Sequence, residues 1–299
     1  MSMRNATGEI AAMLDLMHYD FMRNALTAGF LVSIACGVVG TLVVVNRLSF
    51  LAGGVAHAAY GGLGLSAFFG ISPMAGTIPF SIVSSLLMGV ASRRQKERSD
   101  TIIGVMWALG MAIGIILIDL KPGYFADLMS YLFGSILAVP HSSLYLMAAL
   151  DCIILLIVVG LYKEFLSMSY DEEFALVSGV PVATLYYVMI LLIALTVIML
   201  IRVVGLILVI ALCTIPASIA EMFTKDLRRM MAIATALGMF FTTGGLLLSY
   251  YCNLTSGATI IMVAGIFYII SFVVRSRRQN GMRQQCRDSA NPRNGVTNP

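Results

Sequence analysis

The sequence predicts an all-α fold: a polytopic transmembrane helical bundle of about eight to nine spans. Three observations carry this. Of the 299 residues, 59% are hydrophobic and only 11% are charged, against about 25% charged in soluble domains. A single core cannot hide so much apolar surface, so lipid must cover part of it. The apolar runs are close to 20 residues long, the length a bilayer asks of a helix, and lack the short alternation of an outer-membrane barrel. Finally, basic residues collect at the ends of apolar runs, in SRRQKER (92–98), KDLRR (225–229) and RSRR (275–278). In that position they read as cytoplasmic anchors, not as nucleic-acid contacts.

The expected spans run approximately over 25–45, 50–69, 73–91, 101–119, 142–162, 184–201, 203–222, 229–249 and 257–274. The second is rich in glycine and is expected to be tilted or broken. If all three basic clusters face the cytoplasm, the spans alternate without conflict. Residues 1–24 then form an extracytoplasmic segment, residues 25–275 the transmembrane domain, and residues 276–299 a polar cytoplasmic tail, expected to be disordered beyond 278. Arg47 falls at an inner turn and Arg202 at a short outer one. The long outer connection 120–142 offers Tyr124, Phe125 and Tyr131 as interfacial anchors for a short helix. No cleavable leader stands out at the N-terminus.

The long inner connection contains SYDEEFALVSGVP (169–181). Acids open it, an apolar stretch with Ala175 follows, and Gly179 and Pro181 close it. This predicts a short helix with acids in the first turn and a glycine stop. Anionic lipid would repel its acids, which favours a protein partner.

Several chemistries find no support. There is no GxxxxGK[ST] for ATP, no HExxH, and no GxSxG. The five cysteines show no CxxC spacing, and three lie in apolar runs, where small-hydrophobe packing is expected.

Two polar groups stand inside expected spans. His57 lies in AGGVAHAAYGGLG (52–64), where helical spacing places it on one face with Gly53, Gly54, Gly61 and Gly64. Gly54, Ala58 and Gly62 form a small-xxx-small series that lets helices approach closely. His57 is then either a packing histidine bonded to a neighbouring carbonyl or a polar contact on a pathway wall. Neutral imidazole suits zinc, manganese and iron. Asp151 sits mid-span in SSLYLMAALDCIILLIVVGLY, where a carboxylate costs about 2.5–3.5 kcal/mol on insertion scales. A cation pathway or an interhelical hydrogen bond accounts for it. Asp15, His18, Asp20, Asp119 and Asp127 form an outer acidic rim, either cation-collecting or simply solvated.

Six stretches, in order, resemble the permease subunits of bacterial ABC importers for zinc, manganese or iron. They are RLSFLAGGVAHAAYGGLGLS (47–66), SDTIIGVMWALGMAIGIIL (99–117), YLFGSIL (131–137), YDEEFALVSGV (170–180), VGLILVIALCTIPASIA (204–220) and NLTSGATIIMVAG (253–265). The resemblance implies a fold similar to that of vitamin B12 and siderophore permeases. It further implies a second permease chain, two copies of a separate cytoplasmic ATP-binding subunit that hydrolyses ATP, and an extracytoplasmic metal-binding protein. Asp171, Glu172, Glu173, Ala175 and Gly179 would lie in the coupling helix. This chain would bind no cofactor; a divalent metal ion would pass through transiently in the bacterial cytoplasmic membrane. The family commonly has an aspartate four residues before its histidine, and here Gly53 stands there. Asp151 would replace that acid only if its span packs nearby. The alternatives are a permease for a metal chelate or vitamin, and an ion-gradient-driven cation transporter with Asp151 as its proton-coupled group.

Overall fold

The computed structural model describes residues 19–121, 134, 136–206 and 209–289. Asp15, His18, Asp127, Tyr124, Phe125, Tyr131, the Arg202 side chain and the stretch 290–299 lie outside this description. Every described element is helical. The α-helices are α1 (Asp20–Val45), α2 (Ser49–Phe69), α3 (Pro73–Arg94), α4 (Ser99–Asp119), α5 (His141–Gly160), α6 (Tyr162–Tyr170), α7 (Glu172–Val177), α8 (Val182–Val204), α9 (Val209–Phe223), α10 (Leu227–Cys252) and α11 (Ser256–Ser289). Of the long outer connection, a 3-10 turn at Ile136–Ala138 is described.

Each expected span contains a helix, that over 203–222 being described from Val209 onward, and seven of the helices are long and apolar enough to cross a membrane. The exceptions, α2 and α9, have different causes. Glycines and His57 lower the hydropathy of α2, yet 14 of its 21 residues are buried inside the bundle. A helix shielded from lipid need not be strongly apolar. As described, α9 has 15 residues and carries Pro216 within it.

Two expectations are corrected, and one helix is added. The second span is one unbroken helix of 21 residues, because its glycines sit in tight contacts with neighbouring helices. The connection over 163–184 contains α6 as well as the short acidic helix; Phe165 and Met168 are buried and hold α6 against the bundle. The last helix runs on to Ser289, so the polar tail is helical over 279–289. Helix propagation from an anchored span costs little once the nucleus exists.

α1 and α8 form the centre. In α1, 72% of the most apolar window is buried, against 17% in α4, so α4 is peripheral. α1 packs on α10, α9, α5 and α8, while α2 is wrapped by α4, α3, α8 and α9. Short turns connect antiparallel neighbours. Between α1 and α2, Arg47 takes a left-handed φ of 57° and the Leu48 N–H donates to the Val43 carbonyl at 2.8 Å. The Ser66 hydroxyl then clasps the α2–α3 corner, donating to the Pro73 carbonyl and accepting from the Gly76 N–H at 3.0 Å.

Candidate functional site

The glycines of α2 divide by neighbour. A Cβ on Gly54 would meet Ile103 of α4 at 2.5 Å, and one on Gly62 would meet the Gly76 carbonyl of α3 at 2.7 Å. A Cβ on Gly61 would strike Phe80 of α3 and the Gly110 carbonyl of α4, and one on Gly64 the backbone of Gly114. Gly110 and Gly114 lie in turn against the Ala58 and Tyr60 backbones. The result is nearly backbone-to-backbone packing of α2 against α4, the close approach that small residues allow in lipid.

Between Leu51 and Gly64, every residue of α2 is buried except His57. Its imidazole lies face to face with the Trp107 indole of α4, at 4.3 Å between centroids and 6° between planes. Phe50, two turns earlier on α2, leans on the same indole at 6.2 Å. Trp107 is itself oriented by donating from Nε1 to the Met111 sulfur at 3.1 Å. Among the described residues His57 makes no hydrogen bond, so the expected bond to a neighbouring carbonyl is absent. Aromatic stacking holds the ring while leaving its nitrogens at the edge free to meet a ligand. Trp107 is the neighbour of His57 that the sequence does not reveal. It is the chain's single tryptophan, but nothing in spacing alone pairs it with His57.

Gly53 shows why no acid accompanies this histidine. A Cβ there would meet Ile210 Cδ1 of α9 at 2.7 Å. The volume that a carboxylate would need is filled by an aliphatic side chain.

Asp151 does not replace that acid. It lies on α5, which packs on α1 and α8 and shares no substantial interface with α2. It is 3% exposed, and neither carboxyl oxygen has a hydrogen-bond partner, so the expected interhelical bond is not formed. Cys36 and Cys213 are buried, as their apolar runs predict, whereas Cys152 is exposed. Among the described residues no group of three or more His, Cys, Asp or Glu is arranged to hold a metal.

The acidic segment matches its expectation closely. Asp171 caps α7, accepting from the Glu173 and Phe174 N–H groups at 3.0 Å each. Glu172 and Glu173 occupy the first turn, where the helix dipole favours acids. At the other end Gly179 takes φ 83°, and two reversed bonds close the stop: Val180 N–H to Ala175 carbonyl and Gly179 N–H to Leu176 carbonyl. Ala175 is fully buried and anchors the helix, while Phe174 and Val177 are 65% and 88% exposed. Neighbours tie the flank that leads into it. Asn46 Nδ2 donates to Ser169 Oγ at 3.0 Å, and the Tyr170 hydroxyl donates to the Lys225 carbonyl at 2.8 Å.

A cavity of about 250 Å³ separates α7 from the ends of α3, α4 and α8, with Arg93, Glu172 and Tyr186 among its lining. The Arg93 guanidinium lies 5.4 Å from the Tyr186 ring centroid. The acidic helix therefore stands at the same end of the bundle as the basic stretches 92–98 and 225–229. At the start of α1, Asp20 pairs with Arg23 at 3.5 Å in an exposed contact of little energetic weight.

The fold defines an integral, multi-span helical membrane protein. The chain belongs to the ABC 3 transport family, whose model matches residues 18–275. It is similar to the uncharacterized membrane protein slr2045 of Synechocystis, with 54% identity over 266 residues covering 89% of this chain and 95% of that protein. Its identity to the manganese transport system membrane protein MntC of Listeria monocytogenes is 33%, over 86% of this chain and 92% of that one. The solved structure of PsaBC from Streptococcus pneumoniae in complex with Fab superposes with a TM-score of 0.79 at 30% identity, covering 88% of this chain and 95% of that chain.

Proposed function

We propose that this chain is the permease subunit of an ABC importer that carries a divalent transition-metal ion across the bacterial cytoplasmic membrane. The observation that carries the reading is α7: a capped, acid-led helix with exposed Phe174 and Val177, anchored by buried Ala175 at the basic end of the bundle. Exposed apolar side chains beside fixed acids suit a protein groove better than an anionic lipid surface. In this reading the basic end is cytoplasmic, the N-terminus lies outside and the C-terminus inside.

The remaining parts follow from the family. Two copies of a separate ATP-binding subunit hydrolyse ATP and press on α7. Two permease chains form the pathway, and an extracytoplasmic metal-binding protein delivers the ion. Relatives named for manganese transport support manganese as the first cargo to test, ahead of zinc and iron. This chain holds no resident cofactor. His57 meets the ion in transit, and the aliphatic wall at Ile210 keeps that contact weak enough for release.

The test is uptake of labelled manganese into vesicles holding the reconstituted complex with its ATPase and binding protein. Uptake should require ATP inside and the binding protein outside. Uptake that proceeds without the ATPase and collapses with an uncoupler would instead establish a gradient-driven transporter. Uptake of a metal chelate or vitamin, and not of the free ion, would establish the chelate permease.

A further inference from the structure

Carboxylates stand at the ends of this bundle. Among the described residues, every acid except Asp151 lies in a connection or within three residues of a helix end. Asp151 is 3% exposed on α5, which has no substantial interface with α2, so its carboxyl is enclosed by its own chain. A second permease chain, as proposed above, adds the same side chains and so brings no exposed acid to mid-span depth either. His141 opens α5, which leaves His57 as the one imidazole inside a described span.

Carbon frames the partly exposed edge of that imidazole. Its broad side lies on the Trp107 indole, with Phe50 leaning on the same ring. One turn earlier on the same face of α2 stands Gly53, where a Cβ would meet Ile210 Cδ1 at 2.7 Å. Tyr60, the other polar side chain between Leu51 and Gly64, is 6% exposed. An ion that meets this face therefore meets ring nitrogen, and finds an aliphatic wall where a charged oxygen could have stood. Donor type separates the divalent ions: imidazole suits zinc and iron, whereas carboxylate, carbonyl and water suit manganese, which also stands lowest in the general order of affinities.

We propose that His57, walled by Ile210 beside Gly53, makes the transit contact selective for nitrogen-preferring divalent ions, zinc and ferrous iron, over manganese. This rests on the importer reading, in which His57 meets the ion in transit. Relatives named for manganese transport point to one order of cargo; the donor atoms of this chain point to the opposite order. The imidazole replaces one water of a passing zinc ion with a ligand that zinc holds well. For manganese the same exchange gives up an oxygen donor for a nitrogen it holds poorly, and no carboxylate nearby compensates. Gly53 and Ile210 are specificity determinants in this scheme because together they keep oxygen away from the contact.

The experiment is equilibrium dialysis of the permease–ATPase complex against labelled zinc or labelled manganese, without ATP and without the delivery protein, whose own choice of ion is thereby removed. The His57→Ala complex sets the background from sites elsewhere. Zinc should half-fill the His57-dependent site at a roughly tenfold lower free concentration than manganese, the scale of one discriminating contact. His57→Asp, which puts oxygens in place of the ring nitrogens at a partly exposed edge, should reverse the order. Gly53→Asp with Ile210→Ala, an independent route to an oxygen donor, should narrow the gap. If manganese fills the native site at the same or a lower concentration than zinc, or if zinc shows no binding that His57→Ala removes, the proposal is overturned. If His57→Asp keeps the zinc preference, its assignment to the ring nitrogen is wrong. Uptake that proceeds without the ATPase would end the importer reading and leave this order of ions standing.

Discussion

The imidazole of His57 and the indole of Trp107 lie in parallel planes, 6° apart and 4.3 Å between centroids. One comes from a largely buried helix and the other from a peripheral one. The stack presents the only part of α2 between Leu51 and Gly64 that its own chain leaves uncovered.

His57→Ala should therefore lower metal uptake while leaving assembly intact. A loss of roughly tenfold is expected, the equivalent of about 1.4 kcal/mol for one weakened contact. Labelled-metal uptake in vesicles measures it, with complex recovery on a sizing column as the control. Native uptake in this variant would remove His57 from the pathway.

Because Trp107 is the single tryptophan, its fluorescence reports on this stack. Paramagnetic manganese held at His57 should quench the emission, and zinc should not quench it in the same way. His57→Ala should abolish the manganese effect. Quenching that persists in the variant would place the ion elsewhere.

Gly53→Asp supplies the acid that the family commonly has. The obstacle is the far end of the Ile210 side chain, so Gly53→Asp combined with Ile210→Ala should fold. The pair should bind manganese more tightly and turn over more slowly, because a second ligand strengthens the site that must release the ion. Equilibrium binding and uptake rate, measured together, check both halves.

Gly64→Ala acts by packing alone. Its Cβ would meet the Gly114 backbone, which has no flexible end to move. A destabilisation of about 1–3 kcal/mol is expected, read as a lower melting temperature of the detergent-solubilised chain.

Helix α7 gives two separable outcomes. Asp171→Ala removes the acceptor for two N–H groups and should cost about 1 kcal/mol of local stability, seen as faster hydrogen exchange across 172–177. Phe174→Ala leaves the fold alone, since the ring is mostly exposed, and should weaken ATPase-subunit retention on a pull-down. Equal retention would locate the docking surface elsewhere.

Much of the fold was legible in the sequence because lipid imposes long apolar runs and charge decides which ends stay in water. The acidic segment was legible for a similar reason: Asp171, Glu172, Glu173 and Gly179 act through local backbone bonds that need no distant partner. The continuity of α2 was not legible. Glycine lowers helix propensity when read alone, and only the backbones of α3 and α4 convert those glycines into contacts.

The sequence by itself determined the membrane class, the approximate positions of the spans, the short acid-led helix and the place of His57 among the glycines of α2. The tertiary structure decided what surrounds each polar group. It placed Trp107 over His57, put Ile210 beside Gly53 and set Asp151 away from α2. Helical periodicity says which residues share a face. Which other face it meets depends on packing between helices far apart in sequence, and that information is spread over the whole bundle.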